Sequence, residues 1–105
     1  MKNVKTPTSD SYHDYLISSL KDPEESAAYI EAILEEKDPE PELFRRVLSN
    51  VAEALGELNM SPEEAKLHQE KLEELIAKPG IYAIYSLGDW LQALGLKLSV
   101  TVKAD

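Results

Sequence analysis

The chain has 105 residues, 43% hydrophobic and 30% charged, and its 20 Asp and Glu outweigh 11 Lys and Arg to leave a net charge of −9. This composition excludes wholesale disorder, fits one domain with one core, and disfavours tight non-specific nucleic-acid binding, which depends on neutralising phosphates. Cysteine is absent, which removes disulfides, thiolate chemistry and sulfur-ligated zinc.

No apolar run approaches the ~20 residues of a membrane span, and the start MKNVKTPTSDS lacks a signal-peptide core, so a cytoplasmic location is expected. The acidic surface suits a small basic protein partner and equally serves as a solubilising coat. Residues 1–9 are polar, contain Pro7 and show no periodicity, which predicts a flexible tail before a single domain over 10–105. Tyr12, Tyr15, Leu16 and Leu20 then mark a first helix, with Asp10 or Ser11 as its cap. Asp22-Pro23 caps and opens a second helix, with Glu24 and Glu25 at the positive end of its dipole. It is expected to run to about Lys37, with Ala27, Ile30, Ile33 and Leu34 inward and Tyr29 widening the face.

Asp38-Pro39 repeats the start signal, and Pro41 is tolerable only in a first turn, so the third helix begins near there. Leu43, Phe44, Val47, Leu48, Val51, Ala54 and Leu55 form the strongest apolar stripe, which predicts a central core helix stopped by Gly56. Ser61-Pro62-Glu63-Glu64 is a capping box, and Ala65, His68, Leu72, Leu75 and Ile76 share one face, so 61–77 reads as one helix.

Lys78-Pro79-Gly80 ends that helix. Ile81 to Tyr85 is β-branched and aromatic, and at five residues periodicity cannot separate a strand from a buried loop. Leu87, Trp90, Leu91 and Leu94 return to helical spacing, and Gly95 is placed to end that helix in the left-handed region. The period then switches to two. Leu96, Leu98, Val100 and Val102 alternate with polar residues, which predicts a C-terminal β-strand over 96–102. A lone strand leaves its backbone unsatisfied, so it pairs either with 81–85 or with a second copy in a homodimer, those four residues forming the interface.

Enzyme signatures are lacking: the four glycines stand apart, no serine sits in a G-x-S-x-G elbow, and no cofactor is indicated. Glu64 and His68, four residues apart, could reach one metal, but a helix-surface pair or a half-buried histidine accounts for them more simply, and no metal is expected. Arg45 and Arg46 have Glu42 as their partner on the helix surface; the competing reading makes them interface anchors.

The run DYLISSLKDPEESAAYIEAILEEKDPEPELF (Asp14 to Phe44), then VAEALG (Val51 to Gly56) and LQALGLKLSV (Leu91 to Val100), resembles the addiction-module antidote proteins. These are HigA-like antitoxins with an Xre-type helix-turn-helix. The resemblance implies a mostly α fold of about five helices, with a degenerate lambda-repressor-like helix-turn-helix and a C-terminal strand. It implies an antitoxin that binds a small basic toxin and regulates transcription, and it places DNA contacts at Lys66, His68, Gln69 and Lys71. The middle departs from the family pattern. No glycine stands between Met60 and Gly80, and His68-Gln69-Glu70-Lys71-Leu72 replaces the family's Ser-Arg-Glu-x-Leu run. Five glutamates (63, 64, 70, 73 and 74) dilute the basic residues, so one acidic helix is expected where the family has two.

Overall fold

The computed structural model describes residues 9–38 and 40–104. The expected N-terminal tail lies outside them, except for Ser9, which already belongs to the first helix. Five helices follow in chain order: α1 (Ser9–Leu20), α2 (Pro23–Leu34), α3 (Pro41–Asn59), α4 (Pro62–Ile76) and α5 (Gly80–Gln92). No strand forms among the described residues.

Local chemistry explains the boundaries. Asp22 caps α2 by accepting from the Glu24 backbone N–H at 3.0 Å, and Pro23 and Pro41 occupy first turns, where no N–H is needed. At α4 the Ser61 hydroxyl accepts from the Glu64 N–H at 3.2 Å while the Glu64 carboxylate accepts from the Ser61 N–H at 2.9 Å. Both halves of the capping box are therefore made. At the end of α5, Leu96 N–H donates to Leu91 C=O and Gly95 N–H to Gln92 C=O, each at 3.0 Å, with Gly95 at φ +85°. This is a Schellman closure, and the left-handed residue it needs is the glycine the sequence supplies.

α3 is the centre. It packs against α1, α2 and α4, while α5 packs on α4 alone among the helices. Leu48, Val51, Ala54 and Leu55 are completely buried, and Ile17, Leu20, Ile30, Ile33, Leu72, Trp90 and Leu94 close around them. In α2 the inward small residue is Ser26 rather than Ala27, and Leu34 faces solvent. The serine is admitted because its hydroxyl donates to the Leu20 carbonyl at 2.7 Å, pairing a group that the end of α1 leaves open. Tyr12 and Tyr15 of α1 also face outward, Ile17 taking the inward position.

Three expectations are corrected. Gly56 does not stop α3, which continues to Asn59; it lies buried against α4, where an added Cβ would stand 3.4 Å from Ala65 Cβ. It is a point of close approach rather than a terminator. Ile81 to Tyr85 is neither strand nor buried loop but the first turns of α5, entered through the three-residue link 77–79 with Gly80 at φ +48°. Finally, residues 96–104 adopt no regular structure in the single chain, because 81–85 is helical and offers no ladder to a strand.

Leu48→Ala removes a fully buried side chain from the central helix and is expected to cost ~2–5 kcal/mol, read as a lower midpoint in urea unfolding with an unchanged slope.

Candidate functional site

The four residues proposed to read DNA are not brought together. Lys66 and Lys71 are exposed on α4, whereas His68 is buried against α5 and Gln69 is half-buried against α3. Gln69 donates to the Ser49 carbonyl at 3.0 Å and accepts from the Ser49 hydroxyl at 3.1 Å. A side chain committed on both its amide atoms is not free for a base edge. α4 itself is one uninterrupted helix, so no turn survives inside 62–76.

His68 makes the joint between α4 and α5. Its ring stacks on Trp90 with centroids 4.6 Å apart and planes 9° from parallel. Its Nε2 lies 2.9 Å from the Trp90 carbonyl, and the Trp90 indole N–H donates back to the His68 carbonyl at 2.8 Å. A carbonyl only accepts, so the imidazole proton sits on Nε2 and Nδ1 is left as acceptor. Burial pushes the His68 pKa below the ordinary 6.5 despite the opposing bond to Trp90, and nearby Lys71 pushes it the same way. At Glu64 the direction is also down, held there by the Ser61 backbone N–H and then its hydroxyl. Glu64 is thus a cap, and neither it nor His68 is disposed towards a shared ion. Among the described residues no group of three His, Cys, Asp or Glu is placed to hold a metal.

Several basic side chains face carboxylates. His13 Nε2 is 3.0 Å from Glu53, Lys21 is 3.2 Å from Glu57, and Arg45 reaches Glu42 at 3.1 Å and Glu73 at 3.5 Å. The Glu42 pairing is the one the spacing foretold; Glu73 adds a bridge from α3 to α4. The cleft of about 340 Å³ between α4 and α5 is lined by Lys71 and Lys78 but equally by Glu74 and Asp89. That balance of charge gives a phosphate little reason to settle there. The α4–α5 pair does have the three-residue connection of a helix-turn-helix. Its second helix, however, carries Asp89 and no basic residue.

The interface residues divide as well. Leu96 packs on the core, while Leu98, Val100 and Val102 are exposed, the two valines almost completely. With them the outer side of α5 exposes Ile81, Tyr82, Ile84 and Tyr85. Sequence reasoning missed that helix face because it did not assign 81–85 to a helix; extending the period backward from Leu87 would have shown it. No helix among the described residues is long and apolar enough to cross a membrane. Comparison with family models, with curated proteins and with solved structures finds no match.

Two outcomes follow from the joint. His68→Phe keeps the stack but leaves the Trp90 carbonyl unpaired, at a cost of about 1–3 kcal/mol at pH 7 in denaturant melts. Because the folded pKa lies below 6.5, the unfolded chain binds more protons as pH falls through that value. Stability contributed by neutral His68 is therefore present above the unfolded pKa and is lost on acidification. Wild-type stability should drop between pH 7 and about 5.5 relative to His68→Phe, and parallel profiles would contradict this.

Proposed function

We propose that this chain is an antitoxin-like cytoplasmic binding protein: an acidic helical scaffold that neutralises a small basic toxin and does not itself read DNA. The observation that carries the reading is the joint at His68 and Gln69, which turns half of the expected DNA-contacting set inward. The net charge of −9 supports a basic protein as partner, and the motifs from Asp14 to Phe44 support kinship with the antidote proteins. The role is stoichiometric binding rather than catalysis.

In this reading residues 96–102 become a strand only when a second backbone comes alongside, and that backbone belongs to another copy. Leu98, Val100 and Val102, now in water, would be covered by the pairing. Two chains joined this way present a doubled acidic surface to the toxin.

Expression of a short basic protein encoded beside this chain should arrest growth, and co-expression of the chain should relieve the arrest; persistence of the arrest would remove the antitoxin role. No electrophoretic shift of the chain's own promoter fragment is expected at ~50 mM salt, where phosphate contacts are strongest. A sequence-specific shift there would restore the repressor. Val100→Lys should halve the mass in sedimentation equilibrium, and an unchanged mass would exclude strand pairing between copies.

A further inference from the structure

From Ile81 to Tyr85 the outer face of α5 is apolar, and among the described residues no other helix covers it. Ile81, Tyr85, Gly88 and Gln92 fall on one line at i, i+4, i+7 and i+11, on the side away from the buried Trp90, with Ile84 and Tyr82 on the flanks and Gly88 half-buried on the side nearer Leu91. The two isoleucines and two tyrosines, 59–70% exposed, come within five residues on one helix, a denser apolar exposure than the Tyr12 and Tyr15 pair of α1 or the single leucines elsewhere. In the middle of the line is a glycine. A Cβ at Gly88 would meet nothing within 4 Å among the described residues, so no contact there requires its absence. Glycine inside a helix is nevertheless unfavourable relative to alanine. A residue that costs helix stability and relieves no internal clash is explained if another backbone passes close to it.

From this juxtaposition we propose that the Ile81–Tyr85–Gly88 face of α5 is a self-association seam, on which a second copy of this chain crosses at Gly88. The proposal rests on the homodimer of the previous reading and adds a helix–helix contact to it. Three observations favour a second copy over another occupant. The first is self-complementarity. A knob, Tyr85, and a notch, Gly88, lie one turn apart on the same line. A two-fold axis between them seats each Tyr85 over Gly88 of the partner subunit and sets Ile81 beside Gln92 of the partner subunit. The second is charge. Copies carrying −9 each repel, so they can meet closely only where carboxylates are scarce, and Asp89 is the one charged side chain between Gly80 and Gln92. A basic toxin would find nothing there to pair with. The third is area. The four large side chains expose on the order of 500 Å² per copy, and with Leu98, Val100 and Val102 from the strand contact the two contacts together reach the ~800 Å² per partner of a standard stable interface.

The test substitutes the notch. Gly88→Leu lengthens the side chain where the seam closes but points it into open solvent in the isolated chain, and it improves helix propensity. Sedimentation equilibrium should give two chains for wild type and for Gly88→Ala, and a dimer at least tenfold weaker for Gly88→Leu, with helix content by circular dichroism undiminished. Tyr85→Lys, an exposed position, should act the same way. A Gly88→Leu protein as dimeric as wild type overturns the seam, and so does a wild type that remains a single chain at about 100 μM. Val100→Lys separates the two contacts. Dissociation by Val100→Lys with Gly88→Leu still dimeric leaves strand pairing standing and removes the α5 seam; the converse keeps the seam and removes the strand.

Discussion

The reciprocal bond between His68 and Trp90 is what makes α5 part of the molecule. α1, α2 and α3 pack on one another and α4 packs on α3, but α5 reaches the body through α4 alone among the helices. Two hydrogen bonds run in opposite directions between the same two residues, each from a side chain to the other's backbone carbonyl, with the rings stacked between them. The Trp90 carbonyl lies in the last turn of α5, where the helix ladder leaves it open, and the mid-helix His68 carbonyl has a second lone pair to give, so the joint forms without breaking either ladder. Asn59 reinforces it from α3, donating to the Leu94 carbonyl at 3.4 Å beside the Schellman turn. Everything beyond Gly80 takes its position from these contacts, including the irregular segment from Leu96 onward.

That joint also decides how the acidic composition is used. Carboxylates on α3 and α4 are partly spent on holding helices together: Glu53 and Glu57 face α1, and Glu73 bridges to Arg45. Such exposed pairs are each worth little. They also occupy Lys21 and Arg45, two of the cations a nucleic acid could use. The surface that remains is acidic with mixed patches, and exposed apolar side chains are most closely spaced on α5, with others on α1 to α4.

Legibility in the sequence tracked how local the cause was. Asp22-Pro23, the Ser61–Glu64 box and Gly95 act within a few residues, and each reads directly as a helix end. The α3 stripe was equally plain, since its period persists over four turns. Gly56 misled because a glycine's role depends on what approaches it: Ala65 is nine residues away, across a reversal of the chain. Ile81 to Tyr85 misled because β-branched and aromatic content suggests a strand or a core, whereas here it marks a helix whose outer face is apolar. At His68 the inward face was legible, beside Ala65, Leu72 and Leu75, but its partner was not. A histidine among charged residues resembles a base reader, and nothing in its neighbourhood announces a carbonyl 22 positions on.

Helices that pack mainly on their sequence neighbours have a kinetic consequence. Closing each contact requires only a short loop, so the ordering entropy is recovered early and folding is fast for a chain of this size. On the ribosome, α1 to α3 can condense into a mutually packed unit before α5 has emerged. The apolar outer face of α5 is therefore translated after α1 to α3 and docks onto a scaffold already in place.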